Sequence, residues 1–392
     1  MIISQIILKN WRNFQSADVK LSDRVFLIGP NASGKSNFLD AFRFLHDIAK
    51  PKGGGLQQAI TERKGLSKIR CLAARQDPNV EITVYLSEMT DAPPLWEYAI
   101  GLKQQSRGEH KPILAFERVR NLSTNEIMVD RPSPEDKTDE LRLTQTHLEQ
   151  INANAKFRQI AHFFETAFYL HLVPQLLRNP EAFSGQGLAE DPFGKSFLDR
   201  VASTPEKYTK SRLKKIESAL RIAVPQLKHL SQVKDERGKP HLEAVYAHWR
   251  PKGAKQQEDQ FSDGTLRLIG LLWSLLESDS LLLLEEPELS LNAGIVRRLP
   301  ALIYRLQREK KRQIIISTHS ADLLSDEGID ANEVLLLKPH TEGTQIIPAS
   351  NIREIKDLLE SGLSLVEAVF PHTIPSGIHQ LELGLDENGN SH

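Results

Sequence analysis

One short loop constrains the fold of this 392-residue chain more than any other feature. Gly29 and Gly34 bracket four residues and precede Lys35 and Ser36, with the apolar strand pattern Arg24–Ile28 before them and a helical pattern after. The glycines let the backbone curl so that N–H groups point at phosphate oxygens, and the helix start adds its positive dipole end. Lys35 then faces the β/γ-phosphates and Ser36 offers a hydroxyl to Mg²⁺. The pattern predicts a nucleotide-binding phosphate loop; the alternative is a chance match in a glycine-rich turn.

A second strand pattern brings carboxylates to the same predicted site. Residues 281–284 are all leucine, which is typical of a buried parallel strand, and Glu285 and Glu286 follow directly. Ligands bind at the carboxyl ends of strands in open α/β sheets. Glu285 is therefore predicted beside Mg²⁺ through water, and Glu286 is predicted to orient or polarise the water that attacks the γ-phosphate. The alternative is a strand that ends in a solvated acidic turn.

Two further segments fit this arrangement. An apolar strand pattern leads to His319, which is suited to contact the γ-phosphate or the attacking water. Ser262 is placed to cap a helix, and Gly264 in its first turn permits a close approach to phosphate. Each has a plainer explanation when taken alone: a hydrogen-bonding histidine at a strand end, and an ordinary helix cap.

Taken together, these segments resemble the ABC-type ATPase heads of the RecF, SMC and OLD group, AAA-family ATPases found in bacterial DNA repair and anti-phage defence. The opening stretch 8–14 is similar to the Asn-Phe-Arg-Ser-Phe stretch common at the start of such heads. The resemblance implies a dimer closed around ATP, with Ser262 and Gly264 as the signature donated in trans. It also implies Glu286 as the catalytic glutamate and His319 as the switch histidine. The residues implied to contact ATP and its Mg²⁺ are Arg12, Gly29, Asn31, Ala32, Ser33, Gly34, Lys35, Ser36 and Asn37, with Glu285 at the metal.

The sequence departs from the pattern of those families at three points. Many ABC proteins have Asp where this chain has Glu285, although OLD-like proteins often have Glu there. The stretch 289–292, at the position of the dimer loop, lacks the usual Asp or His at its end. The glutamine of the Q-loop has two candidates, Gln159 and Gln175, and the sequence does not separate them.

Strand and helix patterns alternate at both ends of the chain, which indicates an α/β fold with a parallel core sheet. We predict a P-loop NTPase of the ABC/SMC-head type with an antiparallel β subdomain and an inserted helical subdomain. Its predicted parts are 1–140 (phosphate loop and β meander), 141–240 (helical arm), 241–385 (signature, Walker B strand and switch histidine) and 386–392 (flexible tail). Prolines interrupt the arm, which excludes a long coiled coil. Too few residues follow His319 for the nuclease domain of OLD nucleases, so any nuclease is expected on another chain.

Composition adds mainly exclusions. Cys71 is the single cysteine, which excludes a disulfide framework and a Cys-based zinc site and fits a cytoplasmic location. No apolar run approaches the ~20 residues of a membrane helix, so no membrane partner is expected. Fifty Lys and Arg balance 51 Asp and Glu, and any basic surface must therefore be local. The best candidate is segment 207–228, which is predicted to be a helix with one apolar face. Its other face would contact DNA phosphates or would only be solvated. The basic residues of this segment are Lys207, Lys210, Arg212, Lys214, Lys215, Arg221 and Lys228.

The main functional hypothesis is therefore an ATPase that dimerises around ATP, or forms a higher oligomer, and gates DNA or a separately encoded effector such as a nuclease. One alternative is the nucleotide-binding subunit of an ABC transporter, against which the long insertion between Lys35 and Ser262 argues. The other is a nucleotide-dependent scaffold with little turnover.

Overall fold

A computed structural model describes residues 1–74, 78–105, 110–179, 193–249 and 253–374. The strands are β1 (Ile2–Trp11), β2 (Phe14–Lys20), β3 (Arg24–Ile28), β4 (Val80–Ser87), β5 (Trp96–Gln104), β6 (Pro112–Asn121), β7 (Glu126–Arg131), β8 (Phe168–Leu170), β9 (Leu227–Lys234), β10 (Pro240–Tyr246), β11 (Ala254–Gln257), β12 (Leu282–Glu285), β13 (Ile314–Ser317), β14 (Val334–His340) and β15 (Gly343–Pro348). The α-helices are α1 (Lys35–Ala49), α2 (Leu56–Glu62), α3 (Leu66–Ile69), α4 (Pro134–Thr138), α5 (Arg158–Glu165), α6 (Pro174–Arg178), α7 (Phe197–Ser203), α8 (Glu206–Ala223), α9 (Asp263–Glu277), α10 (Ala293–Val296), α11 (Leu299–Lys310), α12 (Ala321–Leu324), α13 (Arg353–Glu360) and α14 (Leu365–Val369).

The central sheet has the strand order β15-β14-β3-β13-β12-β8. Its strands are parallel from β14 to β8, and β15 is antiparallel at the edge. The register places Glu285 opposite Ser317, and Ser317 opposite Leu27. Three neighbouring strands therefore end together, and the segments that follow them meet at one edge of the sheet.

The second sheet is antiparallel, with the order β2-β1-β4-β5-β6-β7, and α1 lies between it and the central sheet. Alternate residues of β3 serve different cores: Val25 and Leu27 pack with α1, whereas Phe26 and Ile28 pack with α9 on the other face. Because α1 has a sheet on either side, it is buried around nearly its whole circumference. The helix behind the phosphate loop is thus fixed from both sides.

The predicted α/β fold is confirmed, and the middle of the chain brings the main corrections. The predicted helical arm covers 141–240, but β8 within it joins the central sheet beside β12, and the Phe168 N–H donates to the Leu281 carbonyl at 2.8 Å. The basic helix expected over 207–228 ends at Ala223, because Pro225 cannot continue it, and Lys228 lies in β9. β9, β10 and β11 form a separate three-stranded sheet.

The predicted division of the chain into parts stays a prediction, and the tail 386–392 lies outside the described residues. Within the described ranges, no helix has both the length and the apolar character required to cross a membrane.

Candidate nucleotide-binding site

The predicted motifs converge at the carboxyl edge of the central sheet. The phosphate loop follows β3, Glu286 follows β12, and His319 follows β13 by two residues. Two backbone hydrogen bonds join the segments beyond the strand ends: Glu286 N–H to Ser317 O at 3.0 Å, and Thr318 N–H to Leu27 O at 3.1 Å. The sheet register therefore continues into the loops and holds the three motifs side by side.

The phosphate loop requires glycine at two positions because other groups approach its backbone closely. Gly34 has a φ of 99°, and a Cβ there would lie 2.1 Å from Asn13 Nδ2. A Cβ on Gly29 would lie 2.5 Å from the carbonyl oxygen of Leu337. Asn31 and Ala32 form the exposed tip of the loop. Larger residues at either glycine would displace the loop from the turn or strand against which it rests.

Asn13, which the sequence analysis did not single out, braces this loop. Its Nδ2 donates to Ser33 O at 3.0 Å and to Thr344 Oγ1 at 2.7 Å, and its Oδ1 accepts from Asn37 Nδ2 at 2.9 Å. Trp11 Nε1 donates to Asn37 O at 2.8 Å. The opening stretch 8–14 therefore supports the loop through Asn13 and Trp11, and the Asn37 amide is engaged with protein rather than free for a phosphate.

Lys35 is held inside the loop. Its Nζ donates to Gly29 O at 3.0 Å and to Pro30 O at 3.1 Å. Burial lowers the pKa of Lys35 to about 8, while the nearby carboxylates of Glu286 and Glu285 oppose that shift. The amine therefore remains mostly charged at pH 7 and lies among backbone groups that suit an anion.

Glu285 is engaged by two hydroxyl donors. Ser36 Oγ donates to one carboxylate oxygen, and Tyr169 Oη donates to the other. Burial, and then the charge of Glu285, raise the pKa of Tyr169, so the phenol stays protonated and acts as a donor. Arg43 stacks on the Tyr169 ring with its guanidinium carbon 4.1 Å from the ring centre. Tyr169 is not among the residues predicted from the sequence, because β8 is a strand of only three residues.

The oxygens of Ser36 and Glu285 suit Mg²⁺ chemically. Mg²⁺ prefers hard oxygen donors and is usually held by one or two carboxylates together with phosphate oxygens and waters. The hydrogen bond between Ser36 and Glu285 shows that a hydroxyl and a carboxylate from different elements meet at one point. This donor set therefore fits the predicted metal.

Glu286 and His319 form a partly exposed pair beside Lys35. His319 Nε2 lies 3.4 Å from Glu286 Oε1. Burial and the charge of Lys35 lower the pKa of His319, which keeps the imidazole neutral at pH 7. Glu286 has a φ of 46°, so the chain turns sharply as it leaves β12.

Glu288 holds the turn that carries His319, a role that sequence analysis also missed. The Glu288 carboxylate accepts from Thr318 Oγ1 at 2.5 Å and from the His319 N–H at 3.3 Å. Burial raises its pKa, and its second oxygen is buried without a hydrogen-bond partner in the described part of the chain. Arg267 on α9 contacts the turn after β12, since its Nη1 lies 3.5 Å from Glu286 O.

The predicted signature caps α9. Ser262 Oγ accepts from the Thr265 N–H at 3.2 Å, which is the geometry of an ordinary helix cap. A Cβ on Gly264 would lie 2.7 Å from the Ser290 carbonyl, so this glycine permits close packing against stretch 289–292 of the same chain. Among the described residues, no hydrogen bond joins Ser262 or Gly264 to the phosphate loop of their own chain.

The remaining candidates, Arg12, Gln159 and Gln175, lie at different distances from the nucleotide-binding motifs. Arg12 does not turn toward the phosphate loop: its guanidinium donates to Asp40 at 2.8 Å and to Lys68 O at 3.0 Å. Gln175 lies just beyond β8 and donates to Asp263 at the start of α9, at 2.9 Å. Gln159 is exposed on α5. Of the two glutamines, Gln175 lies closer to the motifs in this fold.

Comparisons with known proteins agree with this geometry. A family model described as "AAA domain, putative AbiEii toxin, Type IV TA system" matches residues 24–326. The DNA replication and repair protein RecF of Gloeobacter violaceus is 26% identical over 215 residues, which cover 54% of this chain and 53% of that protein. The RecF protein of Roseiflexus castenholzii is 28% identical over 133 residues, or 31% of this chain and 33% of that protein. The chain thus spans between a third and about half of the length of these relatives.

A crystal structure of the SmcHead bound to the C-winged helix domain of ScpA superposes with a TM-score of 0.53 at 13% identity. The superposition covers 88% of this chain and 97% of that one. At this level of identity the likeness shows a shared fold, and it agrees with the central sheet and flanking helices described above.

Proposed function

Because the chain belongs to the AAA-domain family whose model spans residues 24–326, a family of P-loop ATPases of the RecF and SMC type, we propose that it binds and hydrolyses ATP as a dimer and thereby gates a partner. One observation carries the proposal: the phosphate loop, Glu285, Glu286 and His319 meet at the carboxyl edge of one parallel sheet. The partner is DNA or a separately encoded effector such as a nuclease, in phage defence or DNA repair. The name of the relatives, DNA replication and repair protein, supports the DNA-repair part of this proposal.

Each site residue has a distinct task in this proposal. Backbone N–H groups of loop 29–34 and the charge of Lys35 bind the phosphates. Ser36 and Glu285 hold Mg²⁺, which supplies positive charge against the phosphate oxygens when bound. Glu286 accepts the proton of the attacking water, and the neutral ring of His319 orients that water or the γ-phosphate. Glu288 acts indirectly, because it fixes the turn on which His319 lies.

The second subunit completes the site. Ser262 and Gly264 have no bond to their own phosphate loop in the described structure, while the amino end of α9, a 15-residue helix, presents N–H groups that favour an anion. We propose that this end closes over ATP held by the partner's loop. Exposed Lys207 and Lys214 on α8 remain available for DNA, whereas Lys210 pairs with Glu206.

Replacing Tyr169 with Phe tests the metal side. The substitution removes one of the two donors that orient Glu285. We therefore expect the Mg²⁺ concentration that supports half-maximal ATP binding to rise roughly 10–100-fold. A fluorescent ATP analogue titrated at several Mg²⁺ concentrations, with EDTA as the metal-free arm, measures the effect. Tyr246→Phe, which removes a phenol of the separate sheet, is the matched control. If both variants reach half-maximal ATP binding at the same Mg²⁺ concentration, Tyr169 is not needed for metal binding.

Replacing Ser262 with Arg tests the composite site. ATP should still bind to the intact phosphate loop, while turnover should fall by about 100-fold because the signature no longer approaches the partner's nucleotide. Ser364→Arg is the control, since Ser364 also caps a helix, and loss of either cap costs about 1 kcal/mol of folding stability. ATP affinity, turnover and ATP-dependent sedimentation are measured for both. If the two variants hydrolyse ATP at the same rate, Ser262 does not contribute to the site.

A further inference from the structure

A large groove lies between α8 and the α10–α11 segment, and we call it the α8–α11 groove. Its volume is about 1030 Å³. Leu268 of α9 forms part of its floor, Ala219 and Ile222 line the α8 wall, and Ile295 and Leu302 line the opposite wall. Ile222 is 85% exposed, an unusual state for so large an apolar side chain. The groove involves none of the residues assigned to the phosphate loop or to hydrolysis.

Helices form both walls of the groove. Ala219 and Ile222 are three residues apart and lie on one side of α8. Ile295 belongs to α10 and Leu302 to α11, so two consecutive helices form the facing wall. The small side chains of Ala219 and Ala301 leave space between the walls. A channel of this shape, with an apolar floor and helical walls, fits the apolar face of another helix.

The charges of the groove specify its occupant further. Lys215, Arg298 and Arg305 line it, and no acidic residue does so in the described part of the chain. Lys215 already pairs with Glu309 at 3.1 Å. Arg298 and Arg305 are exposed and have no ion pair among the described residues. Arg298 immediately precedes α11 and Arg305 lies on it, and both line the groove together with Leu302. An acidic partner would therefore meet two free guanidinium groups beside an apolar surface.

We infer that the α8–α11 groove docks an amphipathic helix of a separate protein, whose acidic side chains flank its apolar face. A nucleic acid would use the arginines but not the apolar floor, and two copies of this chain docked groove to groove would bring identical positive charges together. The inference rests on the proposed function only in taking the partner to be another protein. It identifies the groove that binds this partner and the apolar and arginine side chains that recognise it.

The test uses the full chain and a designed, fluorescently labelled helical peptide with leucines on one face and glutamates beside them. A second peptide carries lysines in place of the glutamates. We expect the acidic peptide to bind and the basic peptide not to bind, as measured by fluorescence anisotropy at low salt. The double variant Arg298→Glu/Arg305→Glu should lower affinity for the acidic peptide at least about 10-fold, because attraction becomes repulsion. The control Lys207→Glu/Lys214→Glu makes the same charge change outside the groove and should bind within about twofold of wild type.

Any of three peptide-binding results would overturn the inference: equal binding of the two peptides, equal loss of affinity in the two double variants, or displacement of the bound peptide by duplex DNA. A change in self-association of the Arg298→Glu/Arg305→Glu variant would assign the groove to a second copy of the chain and also overturn it. ATP turnover of that variant should equal wild type, since neither arginine lies in the nucleotide site. Failure of the groove proposal and failure of the ATPase proposal are thereby distinguished.

Discussion

The Glu286→Gln variant is expected to bind ATP with wild-type affinity and to hydrolyse it at least about 100-fold more slowly. Glutamine has nearly the same shape, so the turn at this position and the backbone bond to Ser317 should survive. It cannot accept a proton from water, and it leaves His319 without the carboxylate that lies 3.4 Å from Nε2. An ATP-bound dimer should therefore accumulate, because the step that would release it is blocked.

Two measurements examine this variant together. Phosphate release after one turnover gives the chemical step, and sedimentation with ATP gives the dimer population. Glu327→Gln, an exposed glutamate near α12, is the matched control and should leave both unchanged. Wild-type turnover in Glu286→Gln would exclude this residue as the base. Slow turnover without a dimer would leave Glu286 as the base but contradict closure around ATP.

The motifs that could be predicted from the sequence are local ones. The phosphate loop, the Glu285–Glu286 pair and His319 each follow an apolar strand within a few residues, and parallel strands end at a common edge. Convergence therefore follows from the fold class alone. The strand Arg24–Ile28 was predicted with the same limits as observed, because its apolar run is short and ends at a glycine.

The partners that could not be predicted are distant in sequence. Tyr169 lies in a three-residue strand that is defined only by pairing with β12, more than a hundred residues later. Glu288 is recognisable only through its contact with Thr318, 30 positions away. Arg12 was expected at the nucleotide because of its neighbours in sequence, but the approach of Asp40 decides where its guanidinium lies. Periodicity carries no information about such contacts.

Arg63 is expected to be a sensitive position for stability, because it neutralises two buried carboxylates on α1. It donates to Asp40 at 2.8 Å and to Asp47 at 2.8 Å, and all three residues are at least 91% buried. Asp40 and Asp47 are seven residues apart, two helical turns along the same face of α1. Arg63→Ala leaves both charges without this partner and should lower the free energy of unfolding by roughly 3–5 kcal/mol.

Urea unfolding of Arg63→Ala and Arg12→Ala at several pH values tests this cluster. Arg12 is partly exposed and shares Asp40 with Arg63, so its removal should cost only about 1–2 kcal/mol. Despite burial, Arg63 and then Arg12 hold the pKa of Asp40 below its usual value. The stabilisation is therefore present above the ordinary Asp pKa of about 4 and is lost as pH falls through the lower folded value. Protonation relieves the unpaired carboxylates in Arg63→Ala, so its deficit relative to wild type should shrink in acid. A deficit independent of pH would mean that lost packing on Phe44, over which Arg63 stacks at 5.1 Å, outweighs the ion pairs.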